Sequence, residues 1–168
     1  MNYKEEIIQM IERLPEKELQ GLYSTIERFY KQYQFNEMLE HNGVQISGIV
    51  EEEQEIKKRW CKVFTNKISE QKKKEIYFNQ FYWHIFSYQL LPCLEGKAAM
   101  RAFDEMKKGE IYKFYQDVPA ILKYSDAKHF LAEYLTDDYD AYICDTNFTW
   151  TYIQTHESQC GPYFYKIG

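Results

Sequence analysis

Apolar positions recur at helical spacing from the first turns of the chain. Ile7, Ile8, Ile11 and Leu14 mark one helix, and Pro15 closes it while being able to open the next at its first turn. Leu19, Leu22, Tyr23, Ile26, Tyr30 and Tyr33 define a second amphipathic helix. Residues 1–42 are therefore expected to form a helical hairpin with one apolar stripe on each arm. Two helices cannot shield both stripes from water by themselves. The pair should dock on the rest of the chain, form a homodimer, or capture another protein.

His41-Asn42-Gly43 and Ser47-Gly48 bracket Val44 to Ile46, which reads as a linker holding at most a short strand. The single main domain, to which the hairpin is an extension, is expected over 51–168. Glu51 to Glu53 suit a helix start, where carboxylates meet the positive end of the helix dipole, and Ile56, Trp60, Val63 and Phe64 supply its buried face. Ser69 can cap a further helix running to about Phe78. Phe81 to Tyr88 reads as a central strand, apolar on both faces. Leu94, Ala98, Ala99, Ala102, Phe103 and Met106 predict a helix stopped by Gly109. Ile111 to Gln116 predicts a strand, Pro119 a loop, and Ser125 the cap of a helix carrying Ala127, Phe130, Leu131, Tyr134 and Leu135. Tyr139 to Cys144 and Phe148 to His156 form a hairpin about Asp145-Thr146-Asn147.

This order of elements defines an α+β protein: an N-terminal helical hairpin, then a single domain with helices packed on one face of a mainly antiparallel or mixed sheet. A doubly wound nucleotide-binding fold is disfavoured, because its glycine-rich phosphate loop is missing.

Along the last strand Phe148, Trp150, Tyr152 and His156 alternate with Thr149, Thr151, Ile153 and Thr155, so its two faces differ. Six acidic side chains and no Lys or Arg lie between His129 and Tyr165, which sets an aromatic sheet in an acidic surround. Aromatic residues make up 18 % of the chain, enough to exclude a disordered segment, and tyrosine serves cores and wet interfaces alike. The net charge of −5 argues against nucleic acid or an anionic membrane as partner. The run Lys72-Lys73-Lys74, flanked by Glu70 and Glu75, reads as a solvated helix face. The first residues lack the basic and apolar segments of a leader, and no apolar run approaches membrane-spanning length, so a cytoplasmic location is expected. Cys61, Cys93, Cys144 and Cys160 are widely spaced and are expected as free thiols.

His156 and Glu157, with Cys160 close by, are the best candidates for reactive groups. A His and a carboxylate at a strand end can supply general base and acid, and His84 could join them. A zincin site is not formed, because position 160 is Cys and Gly161-Pro162 breaks any helix. A Cys-His nucleophile is conceivable with Cys160 or Cys93, but nothing selects among the four cysteines, and buried inert thiols are the default. Asp137, Asp138, Asp140 and Asp145 flank a strand without the glycine turn or distal Glu of a calcium loop, so they read as a solvated acidic rim. Trp60 and Trp83 are expected in the core; Trp150 can face either way. No metal and no cofactor is expected.

Trp60-Cys61-Lys62, Trp83-His84-Ile85-Phe86-Ser87-Tyr88, Leu94-Glu95-Gly96-Lys97-Ala98, Phe148-Thr149-Trp150-Thr151-Tyr152, Thr155-His156-Glu157 and Cys160-Gly161-Pro162-Tyr163-Phe164 together resemble a small Gram-positive bacterial family known only as a domain of unknown function. The likeness runs from about Glu51 to the C-terminus and implies no activity. The N-terminal pair resembles helical pairs of the Ile-x-x-Leu-Pro-x-x-x-Leu type at the ends of small regulatory and antitoxin-like bacterial proteins. The function expected is a non-catalytic cytosolic protein-binding module of immunity or antitoxin-like kind. Its partner should be a basic protein, met by Asp137, Asp138, Asp140, Asp145, Trp150, Tyr152 and Glu157. The alternative is a small hydrolase or transferase using His156 and Glu157 with His84 or Cys160.

Overall fold

The computed structural model describes residues 2–50 and 53–168. The chain divides into two compact units, Met1–Met38 and Leu39–Gly168. In the first, α1 (Tyr3–Arg13) and α2 (Glu16–His41) meet at Leu14-Pro15, and α2 runs on into the second unit. Glu5 and Glu6 in the first turn of α1, Arg13 in its last, and Glu16 and Glu18 in the first turn of α2 all complement the helix dipoles. Neither helix buries a side chain within this unit; the one buried residue of α2, Leu39, belongs to the second.

The second unit is built on a seven-stranded sheet with strand order β1-β4-β3-β5-β6-β7-β2. The strands are β1 (Gln45–Ile49), β2 (Leu94–Glu95), β3 (Ile111–Tyr115), β4 (Ile121–Ser125), β5 (Ala141–Asp145), β6 (Trp150–Gln154) and β7 (Tyr163–Lys166), and every pairing is antiparallel. The fold is thus α+β with helices before and among the strands. The segment expected as linker forms β1, which pairs with β4 and carries a bulge between Ile46 and Gly48.

Helical elements cover both faces of the sheet, where one covered face was expected. On one face lie α3 (Glu53–Phe64), α4 (Glu70–Glu75) and α5 (His84–Ser87), packed with Phe114, Tyr142, Cys144, Ile153 and Tyr163. Trp60 is the centre of this layer. It stacks with Tyr82 at 5.8 Å and meets Tyr142 edge-on at 5.4 Å. Its Nε1 donates to Thr151 Oγ1 at 3.0 Å, and that hydroxyl donates on to the Ile143 carbonyl at 3.0 Å. Both polar groups are thereby satisfied in a dry interior, where either one alone would be costly. On the other face α6 (Lys97–Glu105) and two 3₁₀ turns, Ala127–His129 and Ala132–Leu135, cover Ile111, Tyr124, Trp150 and Tyr152. Phe103 of α6 lies 5.8 Å from Trp150, 4.5 Å from Tyr152 and 6.2 Å from Phe130.

The alternation of β3, β5 and β6 therefore sorts two apolar sets onto two buried faces. Lys113 falls on the α6 side and is buried there. Its Nζ sits 2.5 Å from Asp138, which also accepts from the Tyr115 hydroxyl at 2.7 Å and the Tyr139 amide at 3.1 Å. Desolvation pushes the Lys113 ammonium below the usual lysine range, and the Asp138 carboxylate opposes that shift.

Several local expectations are corrected. Phe81 to Tyr88 is a set of turns ending in the short helix α5, with Trp83, Ile85 and Phe86 buried; Tyr77 and Gln89 take positive φ on either side. A run that is apolar in every direction fits a buried turn as well as a central strand. Leu94 lies in β2, so the helix starts only at Lys97, and it ends at Glu105 rather than Gly109. Ser125 ends β4, and two 3₁₀ turns replace the helix expected after it. Ser69 does cap α4, accepting from the Lys72 amide at 3.3 Å. Glu51 and Glu52, expected at the start of α3, lie outside the described residues.

Candidate functional site

The register that places Ala141 opposite Gln154 brings Asp140, just before β5, beside the end of β6. Asp140 holds a left-handed conformation (φ 53°), which a short polar side chain tolerates. Its carboxylate accepts from Trp83 Nε1 at 2.9 Å and from the His156 amide at 3.2 Å. His156 Nδ1 lies 2.7 and 2.9 Å from the two carboxylate oxygens. The other ring nitrogen, Nε2, lies 3.9 Å from Glu157 Oε1.

Phe81 packs 5.0 Å from the His156 ring and 5.4 Å from Trp83, fixing the imidazole plane. His156, Glu157 and Cys160 share a cleft of about 180 Å³ with Asp138, Tyr139, Gln154, Gly161 and Pro162. Gly161 is required in its wall: it has φ 83°, and a Cβ there would sit 3.1 Å from Thr155 Oγ1. The preceding loop is closed by the Thr155 hydroxyl donating to the Cys160 carbonyl.

The structure brings three of the four chemical candidates together and leaves the fourth apart. His84 lies beside Trp83 and Phe81, does not line the cleft, and has Nδ1 2.6 Å from the Ile76 carbonyl. The Cys160 thiol is pushed up by partial burial and by the adjacent Glu157 carboxylate, which disfavours the nucleophilic thiolate. Burial holds Cys61 and Cys93 at about 11 and drives Cys144 well above its ordinary value. All four cysteines are free thiols. Among the described residues no group of three or more His, Cys, Asp and Glu side chains is placed to hold a metal ion.

The residues expected to meet a partner fare unevenly. Trp150 is 2 % exposed and Tyr152 fully buried, so neither can line a binding surface; α6 covers the face on which they lie. Asp138 is committed to Lys113, and Asp140 to Trp83 and His156. Asp145 closes the turn before β6, accepting from the Thr149 amide at 2.6 Å, the Thr149 hydroxyl at 2.9 Å and the Trp150 amide at 3.1 Å. Asp137 and Glu157 remain exposed.

Two features were not foreseen in the chain. A shallow groove of about 520 Å³ runs beside α3, lined by Lys58, Arg59, Lys62, Tyr112 and Phe148, with the Arg59 guanidinium 4.6 Å over the Phe148 ring. Lys62 follows Lys58 by four residues and Arg59 by three on one helix, which was the available signal. The second is Phe29, which joins the apolar stripe of α2 and is among the most exposed aromatic residues of the chain.

Fold and cleft define a small α+β protein with an antiparallel sheet buried on both faces and a histidine–carboxylate pair at one strand end. The chain belongs to the family described as a domain of unknown function (DUF4275), whose model matches residues 33–164. The matched span begins earlier than the motifs alone indicate, taking in the end of α2 and all of β1, and it leaves out most of the first unit. No curated protein and no solved structure matches the chain. Among the described residues no helix is long and apolar enough to cross a membrane.

Proposed function

We propose that the chain is a protein-binding module whose docking element is the N-terminal helical unit. The observation that carries this is the exposed apolar surface there: Tyr3, Ile7, Ile8, Met10 and Leu14 on α1, and Tyr23, Ile26, Phe29, Tyr30 and Tyr33 on α2. Side chains of this kind gain roughly 1.5–3 kcal/mol each on full burial, and the second unit buries the same residue types completely. An apolar surface of this extent on one small unit marks an interaction site. The acidic rim at the ends of β5 and β6, by contrast, has spent Asp138, Asp140 and Asp145 on internal contacts, so a basic partner is not required by this reading.

The test is Ile26→Glu and Phe29→Glu in the full chain. Both should abolish association, with itself or with another protein, and should do so at low and at moderate salt alike, because the contact is apolar. Association that persists in both variants would overturn the reading.

A second reading is supported by the His156 site. An imidazole oriented by Asp140, on a residue that lines a cleft together with Glu157, could serve proton transfer to a small polar substrate. The thiol of Cys160 is not activated, so the reaction class is acid–base rather than nucleophilic. A turnover found in a substrate screen should then fall roughly 100-fold or more in His156→Gln and in Asp140→Asn. Turnover unchanged in His156→Gln would remove it.

A further inference from the structure

The groove beside α3 has no part in either reading above, and its charge is opposite to that of the whole chain. The protein carries a net charge of −5, yet Lys58, Arg59 and Lys62 stand together on one helix, with Tyr112 of β3 and Phe148 of the β5–β6 turn completing the groove. A local cationic site on an acidic protein selects its ligand by contact, because the overall field repels anions.

We infer that this groove binds a small molecule carrying a carboxylate or phosphate group on a flat apolar body. The inference is independent of docking through the first unit, since every residue it uses lies in the second. Charge, aromatic placement and size each lead to it.

Glu55, which also lines the groove, pairs with Lys58 at 3.1 Å, and Glu110, two residues before Tyr112, pairs at 2.7 Å with Lys123. Among the described residues Arg59 and Lys62 then have no carboxylate within ion-pair distance and donate to no protein acceptor. What Arg59 does have is Phe148, whose ring centre lies 4.6 Å from the guanidinium carbon. An aromatic face takes no ordinary hydrogen bond, so the fork of N–H donors is left for an oxyanion, which arginine meets with two parallel bonds. Lys62 adds a second positive charge one turn along.

The aromatic side of the groove is held in place. Phe148 is 2 % exposed and has φ 60°, a left-handed conformation that favours glycine. Its amide donates to the Asp145 carbonyl at 3.0 Å, and the Asp145 carboxylate fixes the next two amides. The half-buried Tyr112 ring lies 6.1 Å from that of Phe148. Backbone strain of this kind collects at ligand clamps, and here it sets a ring beneath a cation.

At about 520 Å³ the groove has the size of a small-molecule site. A bare inorganic anion would leave Ile56, Tyr112 and Phe148 without a partner. A neutral aromatic would leave the Arg59 fork unmet.

Ligand-observed NMR titrations of the full chain with naphthoate and with naphthyl phosphate test this. Both should bind saturably, and the tighter of the two names the head group. Inorganic phosphate and neutral naphthol should each bind roughly tenfold or more weakly. Arg59→Gln should weaken the naphthyl anions by roughly tenfold or more, and Arg59→Lys should recover little, because an ammonium lacks the fork. Lys67→Gln makes the same charge change at an exposed position outside the groove and should leave binding unchanged. Unchanged tryptophan emission and urea midpoints in these variants show that the fold is intact. No saturation by either naphthyl anion in the millimolar range overturns the site, and so does full affinity in Arg59→Gln. An equal loss in Lys67→Gln would reduce the effect to net charge and overturn it as well. Inorganic phosphate binding as tightly as naphthyl phosphate overturns the assignment of a flat apolar body.

Discussion

The two units use the same residue types in opposite ways. In the second, Trp60, Phe114, Tyr142, Phe103 and Tyr152 close on one another across a sheet covered on both faces. In the first, isoleucine, phenylalanine and tyrosine stand on helix faces that nothing within the unit covers. The second unit therefore carries its stability in its own chain. The first buries no side chain of its own, and a pair of helices without a core is marginal in water, which the proposed docking would relieve. The family match repeats this division: it spans nearly the whole of the closed unit and reaches only the end of the open one.

The comparison is broken most forcefully at Trp60. Trp60→Ala should destabilise the second unit by about 3–5 kcal/mol in urea titrations followed by the remaining tryptophans, because it opens a cavity and removes the donor to the Thr151 hydroxyl. The same substitution should leave association through the first unit unchanged; a loss of association beyond the loss of folded chains would mean that the two units are not independent.

Next in size is the buried pair. Asp138→Asn removes the carboxylate that lies 2.5 Å from the buried Lys113 ammonium and should cost about 3 kcal/mol. Replacing both partners, in Lys113→Met with Asp138→Leu, should recover most of that loss, since apolar side chains of similar volume need no solvation. A double variant as unstable as the single one would show that Asp138 acts chiefly through Tyr115 and Tyr139.

The smallest effect is one of pH. Burial lowers Lys108 to about 8, against the nearby Asp104 carboxylate, while its Nζ donates to the Phe103 carbonyl at 2.6 Å at the end of α6. A lysine in the unfolded chain holds its proton to about pH 10.4, so between about 8 and 10 the unfolded state binds the extra proton. Stability should therefore rise with pH through that window as far as Lys108 contributes, and be flat below it. Lys108→Met should remove the rise in urea midpoints. Above this range the buried tyrosines, such as Tyr82 held at about 12, act in the opposite sense, because only the unfolded chain releases their protons.

How much of this was legible depended on whether the signal was local. Helix α3, the Ser69 cap and the β5–β6 hairpin follow from spacing and turn residues within a dozen positions. Phe81 to Tyr88 misled because burial in every direction erases the periodicity that separates strand from helix. β4 escaped notice because Leu122-Lys123-Tyr124 is too short an alternation to mark a strand by itself, and Ser125 reads as a helix cap. β7, a run of aromatics after Pro162, became a strand only through its pairing with β6 and β2.

In the cleft, His156, Glu157 and Cys160 were found together because they lie within five residues. The role of Asp140 needed the hairpin register, and the burial of Trp150 and Tyr152 needed the second helical layer. Neither is encoded near the residue concerned.

The central claim is that one unit is closed by its own chain and the other by a partner. Association of the full chain compared with that of Ile26→Glu and Phe29→Glu tests it most directly, with tryptophan emission recorded on the same samples. Both variants should lose association while the emission of Trp60, Trp83 and Trp150 holds steady. Association kept in both variants, or an emission that changes along with its loss, would contradict the account.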